Sequence, residues 1–309
     1  MTTVSYQSTS DSDQQNAEHS GPTCIGCSLE LDGQSYCPEC QTPSDISTLV
    51  QRRDVQPNFV SILGASNAGK TVYLGLLSDV LANATGNLRG TANGTFSIAL
   101  QENVVSSLEK RFFPDKTPVE SDNWRWLHCE VSMKTGKKEK QYDFIAPDIA
   151  GEAISFELEQ AGSYRAILNI VGNSGGILLL CDSTEVRDAG SQEDLYALKL
   201  ASYIQELQPE TKKRKTKNTP AIAIVLTKCD ECPEAFENPE LFAKNNMPRF
   251  YDFCERHFPK HQFFGSGIVG SSCVIRDSEA GDRLIPLDVQ PRGVLEPLCL
   301  LYTSDAADE

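Results

Sequence analysis

Residues 64–71 read Gly64-Ala65-Ser66-Asn67-Ala68-Gly69-Lys70-Thr71, which is the pattern G-x-x-x-x-G-K-[ST]. The six residues before it, Asn58-Phe59-Val60-Ser61-Ile62-Leu63, read as a buried strand. Val72–Leu81 after it carries apolar residues at helical spacing. Strand, glycine loop and helix follow in the order that a phosphate-binding loop needs. Gly64 and Gly69 let the backbone curl, so that N–H groups from the loop through Asn67, Ala68, Gly69 and Val72 turn inward. The new helix adds its positive N-terminal end. Lys70 supplies a point charge to the β- and γ-phosphates, and the Thr71 hydroxyl can coordinate Mg²⁺.

Two further strands lead to chemistry. Trp124–Lys134 and Lys140–Ala146 are expected to be strands joined at Gly136, and the second runs into Pro147-Asp148-Ile149-Ala150-Gly151-Glu152. Asp148, at a strand end beside the loop-bearing strand, can hold Mg²⁺ through water. Gly151 can offer its backbone N–H to the γ-phosphate. The all-apolar stretch Pro220–Leu226 ends in Thr227-Lys228-Cys229-Asp230, which resembles the guanine-reading [NT]-K-x-D pattern. The Asp230 carboxylate would accept two hydrogen bonds from the guanine N1–H and exocyclic amine, which adenine cannot both donate. The Lys228 stem would lie along the ring.

The series GASNAGKT, PDKT, DIAGE, TKCD and SSC resembles that of P-loop GTPases of the translation-factor-like (TRAFAC) class. It is most similar to the bacterial double-GTPase domains, which often carry small zinc ribbons. The resemblance covers residues 58–298. It implies a three-layer α/β sandwich with a mostly parallel sheet, GTP or GDP as ligand, and Mg²⁺ held by Thr71, Asp148 and a switch I threonine. Thr117 is the chosen threonine because it precedes the strand beside Asp148, with Thr91 and Thr95 as fallbacks. The resemblance assigns catalysis to Lys70, Thr117, Gly151 and Glu152. Glu152 stands where Ras-like enzymes have a water-orienting glutamine. It also places Ser271-Ser272-Cys273 in the last guanine-contacting loop. The expected activity is slow, Mg²⁺-dependent GTP hydrolysis in a molecular switch. The rivals are a GTP-binding interaction module without useful turnover and a P-loop ATPase.

Upstream, Cys24-Ile25-Gly26-Cys27 and Cys37-Pro38-Glu39-Cys40 form two CxxC knuckles nine residues apart, the pattern of a closed four-thiolate zinc site. Ser28–Tyr36 between them is expected to be a short hairpin turning at Asp32-Gly33. No Lys or Arg lies within Cys24–Cys40, which favours a protein partner over nucleic acid. Cys229 and Cys232 share the CxxC spacing without a second pair nearby.

The remaining chain is read in outline. Residues 1–22 are polar and expected to be disordered, 23–42 are the ribbon, and 43–57 a linker. In the large domain, residues 84–94 read as loop, 95–100 as strand, 102–113 as helix and 154–171 as helix. Further on, 176–182 reads as strand, 192–207 as helix, 241–257 as helix and 262–270 as strand. His128 sits within a strand and reads as structural, while His257 and His261 flank a helix end. Lys212–Lys217 is a basic loop, expected at the end of the sheet away from the nucleotide. Residues 291–298 read as the start of a final helix. Residues 299–309 resemble one frame of a translated sequencing adapter and are expected to lie outside the genuine chain, cut near Leu298.

Of 309 residues, 39% are hydrophobic and 23% charged, an ordinary balance for a chain with a core. The formal net charge of −15 makes general binding to nucleic acid or anionic membrane unfavourable. No apolar run approaches the roughly 20 residues of a bilayer span. Eleven cysteines, four of them in paired knuckles, suit a reducing compartment, so a cytoplasmic location is expected.

Overall fold

The structure, a computed structural model, describes residues 22–53, 55, 57–208, 219–277 and 281–306. The expected disordered tail, apart from Pro22, and the basic run 212–217 lie outside the described residues.

The central sheet is built from β1 (Pro57–Gly64), β2 (Leu88–Ala92), β3 (Arg125–Thr135), β4 (Lys138–Asp148), β5 (Gly176–Asp182), β6 (Ala221–Thr227) and β7 (His261–Gly265). Among the described residues its seven strands run in the order β2-β3-β4-β1-β5-β6-β7. β4, β1, β5, β6 and β7 are parallel, and β3 runs against both β2 and β4. The chain first builds β2 to β4 on one side of β1 and then β5 to β7 on the other. The strand order therefore reverses at β1, which leaves a crevice outside the carboxyl ends of the strands. β5 and β6 are buried along their whole length, as apolar runs covered on both faces must be.

Alternate residues of β1 feed two cores. Val60 and Ile62 join α2 (Lys70–Asn83), α3 (Thr95–Glu109) and α11 (Glu296–Ala306) on one face. Phe59 and Leu63 join α1 (Ser44–Arg53), α4 (Gly151–Glu159), α5 (Arg165–Gly172), α7 (Ser191–Leu207) and α10 (Pro248–His257) on the other. The shorter α6 (Ser183–Ala189), α8 (Pro233–Glu237) and α9 (Pro239–Asn246) lie between strands. A separate antiparallel hairpin, β8 (Gly267–Asp277) and β9 (Gly281–Arg292), follows β7.

Several local expectations change. The presumed linker holds α1, because Ile46 and Val50 fall on one helical face and are buried. The presumed loop 84–94 contains β2, an edge strand made regular by pairing with β3. Residues 95–100 are helix rather than strand. Ser97, Leu100, Val104 and Leu108 share a buried helical stripe, which outweighs the alternation of a short window. The helix expected over 154–171 is two helices. Gly162, at φ +88°, turns the chain, and the buried Glu157 carboxylate accepts from Gly162 N (2.8 Å), Tyr164 N (2.7 Å) and Tyr203 Oη (3.0 Å). The helix expected over 241–257 breaks at Pro248, the first residue of α10. Residues 262–270 divide into β7 and the start of β8.

His128 is structural as read. It is buried, with Nε2 2.8 Å from the buried Asp143 carboxylate. The adapter-like residues 299–306 complete α11, with Leu298, Leu301 and Tyr302 buried against the sheet at helical spacing. Among the described residues no helix is long and apolar enough to cross a membrane.

Candidate functional site

The glycine loop leaves β1 at Gly64, where φ is +155° and a β-carbon would stand 2.3 Å from the Leu180 carbonyl oxygen. Asn67 (φ +66°) and Gly69 (φ +82°) carry the curl, and Gly69 caps α2. Ala68 is pinned from below, since Thr227 Oγ1 donates to its carbonyl at 3.0 Å. Lys70 is buried and donates to the Gly64 and Ala65 carbonyls at 3.0 and 2.8 Å. Burial lowers its pKa to about 8, against the opposing pull of Asp148 and Glu152.

Three oxygen-bearing side chains meet beside the loop. Thr71 Oγ1 lies 3.0 Å from both oxygens of the buried Asp148 and 3.0 Å from Thr117 Oγ1. Thr117 donates to Asp148 Oδ2 at 2.7 Å. Two hydroxyls and a carboxylate form a hard-oxygen donor set of the type Mg²⁺ takes with phosphate oxygens. Thr117 is thus the threonine that reaches Asp148. Thr91 lies in β2 opposite Glu130, and Thr95 opens α3. Arg125, which the sequence reading passed over, pairs with Asp148 across the β3–β4 ladder, with Nε 3.4 Å from Oδ2.

Gly151 packs against the loop so closely that a β-carbon would meet Ser66 N at 2.4 Å and Ser66 Cα at 2.5 Å. Both are backbone atoms, so glycine alone fits. Glu152 accepts from Ser66 Oγ at 2.6 Å and lies 3.4 Å from Lys116 Nζ. The Ser66 hydrogen bond, with Lys116 further behind, holds its carboxyl below the usual range.

At the other end, β6 delivers Thr227 to Asp230. Lys228 adopts φ +56° and pairs with Asp182, the residue that caps α6. Asp230 accepts from Ile268 N at 3.0 Å, and burial raises its pKa. The assignment of Ser271-Ser272-Cys273 to a loop at the strand end is corrected. These residues lie within β8, where Ser271 pairs with Asp288, Ser272 with Pro286 and Cys273 with Ile285. The loop leaving β7 is instead Ser266-Gly267. Ser266 is buried, and a β-carbon on Gly267 would stand 2.8 Å from Asp230 Oδ1. Recognising that β7 stops at Gly265 would have found it. Ser272 still reaches the site, donating to Glu231 at 2.8 Å.

One cavity of 530 Å³ joins both ends. It is lined by Ser66, Asn67, Gly69, Lys70, Thr71, Val72, Thr117, Gly151 and Glu152 at one end, and by Thr227, Lys228, Asp230, Ile268, Val269, Ser272 and Leu284 at the other. Gly64, Ala68, Asp148 and Cys273 do not line it.

The four knuckle cysteines also converge. Cys24 and Cys40 sulfurs are 3.4 Å apart, Cys27 and Cys37 3.4 Å, and Cys27 and Cys40 3.8 Å. A tetrahedral zinc with bonds near 2.3 Å sets its sulfurs about 3.8 Å apart, so the cluster fits that ion. The Cys40 hydrogen bond draws the Cys24 pKa down to about 5 and pushes the Cys40 thiol up. Cys229 and Cys232 are not among the metal-ready groups of the described residues. In place of the expected hairpin, isolated bridges Thr23–Glu30 and Tyr36–Pro43 close the knuckles. The ribbon is packed onto the large domain. Cys24, Leu31, Cys37 and Cys40 share a core with Phe59 and Trp126, and Glu39 holds Arg165 (3.2 Å) and Asn169 (3.2 Å) of α5.

Comparison with solved structures returns GTP-binding proteins of low similarity. Nucleolar GTP-binding protein 1 from Plasmodium falciparum is 14% identical at TM-score 0.37, covering 82% of this chain and 88% of that one. The GTPase-like domain of S. cerevisiae Ski7, solved with GDP and inorganic phosphate, is 13% identical at TM-score 0.36, over 72% of this chain and 45% of that one. Its GTP-bound form is 13% identical at TM-score 0.37, over 71% and 44%. The present chain thus spans less than half of the Ski7 chains. No curated protein matches the sequence. The sequence matches the Double-GTPase 2 family over residues 58–266, from the first residues of β1 through the Ser266 loop, and the chain belongs to that family.

Proposed function

We propose that the chain binds GTP with a divalent cation and hydrolyses it slowly as a molecular switch. One observation carries this reading. A single cavity has the glycine loop with Thr71 and Thr117, both hydrogen-bonded to the buried Asp148 behind them, at one end, and a half-buried carboxylate, Asp230, at the other. Lys70 and the loop N–H groups would bind the β- and γ-phosphates. Thr71, Thr117 and Asp148 would hold Mg²⁺, whose charge would offset that developing on the phosphates. Asp230 would select guanine, with Lys228 along the ring. Glu152, a carboxylate ionised at neutral pH, would orient the attacking water and accept its proton. Unaided turnover near 10⁻⁴ per second is expected for such a site. Hydrolysis would reset 113–118 and α4, which meet through Lys116 and Glu152.

A second reading, GTP binding without useful turnover, rests on Glu152 itself, because its Oε1 is already engaged by Ser66 and Lys116. The partner we envisage is a protein at the switch segments or the exposed side of the ribbon, in the cytoplasm. The acidity of the chain and the absence of basic residues within Cys24–Cys40 support that choice over nucleic acid.

The test is single-turnover hydrolysis of GTP with and without Mg²⁺, in wild type, Thr117→Ala and Glu152→Gln. Mg²⁺-dependent phosphate release that Thr117→Ala abolishes supports the switch enzyme. Tight GTP binding with no release in any variant supports the binding module.

A further inference from the structure

The β8–β9 hairpin is not accounted for by the motif series. Its roots are fixed at the guanine-reading end. Ile268 N donates to Asp230, and Gly293 sits so close to Gly265 that a β-carbon would reach 1.9 Å from its carbonyl oxygen. The β8–β9 register shifts between Gly267 and Ser272, and such bulges bend a ribbon sharply. In the regular part, Ser272 opposes Pro286 and Val274 opposes Leu284. Directly opposed residues, and those two apart, share one face of a ladder. Ser272, Val274, Leu284 and Pro286 therefore occupy the same face. Two of them, Ser272 and Leu284, line the cavity, and the Ser272–Glu231 hydrogen bond ties that face to the segment after Asp230. On this face Leu284 is 45% and Val274 58% exposed, large apolar groups beside an open cavity.

We infer that this hairpin is a lid on the nucleobase, with Leu284 as the apolar surface on which the flat face of the purine rests. The inference depends on the guanine-nucleotide reading above. The face is apolar, continuous with the cavity, and next to the residues that would read the edge of the base, so a planar ring in that cavity is its occupant. The two contacts divide the labour. Asp230 reads the edge and sets guanine over adenine. Leu284 covers a face, which all purines share, and so sets how long any bound purine nucleotide stays.

The experiment is stopped-flow release of a fluorescent (mant) GDP from the full chain, in wild type, Leu284→Ala, Leu284→Asp and Ser272→Ala, with equilibrium competition by GDP and ADP. Leu284 is exposed, so the variants should fold, and thermal melts check it. Losing one apolar contact of this size is expected to speed release by about tenfold in Leu284→Ala. Leu284→Asp should release faster still and Ser272→Ala only slightly faster. The GDP-over-ADP preference should stay as in wild type. Wild-type release rates in both Leu284 variants would overturn the lid while leaving the nucleotide site intact. A change in base preference without a change in release would assign the hairpin to edge reading and also overturn it. A wild-type chain that holds no guanine nucleotide would overturn the underlying reading and the lid with it, and the wild-type arm alone distinguishes that case.

Discussion

At the phosphate end of the cavity one added methyl group has nowhere to go, since at Gly151 it would lie 2.4 Å from a backbone nitrogen. At the base end an entire leucine, Leu284, stands open beside the cavity. The first end is made of backbone held by backbone, with Lys70 and Asp148 buried. The second is shared between Asp230, in the turn after β6, and a hairpin that lies outside the central sheet. Phosphates are the same in every nucleotide and can be met by a closed, preformed cradle. A base must enter and leave, and a bent two-stranded ribbon on two fixed roots suits that need.

Removing charge at the closed end should have the largest effect. Lys70→Ala takes away the buried cation proposed to meet phosphate, and a loss of about 4 kcal/mol in GTP affinity is expected by titration calorimetry. A variant that binds nearly as wild type would break the idea that this end supplies most of the affinity.

The ribbon packs on the large domain through α5 and Phe59. If its four cysteines hold zinc, removing the ion with a chelator should unpack Cys24, Leu31 and Cys40 from that core. A cost of about 3 kcal/mol would lower Tm by roughly 5 °C. An unchanged melt would show that the large domain stands without the ribbon.

Gly151→Ala sharpens the contrast. With backbone on the other side of the contact, overpacking should cost about 2 kcal/mol by denaturant unfolding. The GDP-over-ADP ratio should stay unchanged. A shift in that ratio would mean the two ends are not independent.

A further prediction concerns protons. Burial raises the Asp230 pKa. Base reading needs the ionised carboxylate, so protonation removes it. Guanine affinity should therefore hold at neutral pH and fall as pH is lowered through the raised value. The fall should begin above the range of an ordinary aspartate. ADP affinity should not follow it. Equal falls for both nucleotides would place the titrating group elsewhere.

The contrast also explains what the sequence could say. The cradle was legible because its residues are contiguous and their spacing is set by the chemistry, as in Gly64 to Thr71 and Asp148 to Glu152. The apolar runs of β5 and β6 were legible because both faces are buried. The nearness of Thr117 to Asp148 is legible through the neighbour strand, whereas Arg125, at the start of that strand, carries no pattern of its own. The loop leaving the last strand of the central sheet comes a few residues before Ser271-Ser272-Cys273. Gly265 and Gly267 flank a strand end that a continuous reading of 262–270 ran through, and the hairpin beyond it has no motif. α1 was passed over because only Ile46 and Val50 mark its buried side amid polar residues. Pro248 was a helix start hidden inside a longer helical pattern.

The central claim is that the cavity reads guanine through Asp230. The measurement that tests it most directly is titration calorimetry of GDP and ADP against wild type and Asp230→Asn. The account predicts that wild type binds GDP at least about a hundredfold more tightly than ADP, because ADP leaves the half-buried carboxylate unpaired, and that Asp230→Asn removes the preference. Equal binding of GDP and ADP by the wild type, or a preference that survives in Asp230→Asn, would contradict it.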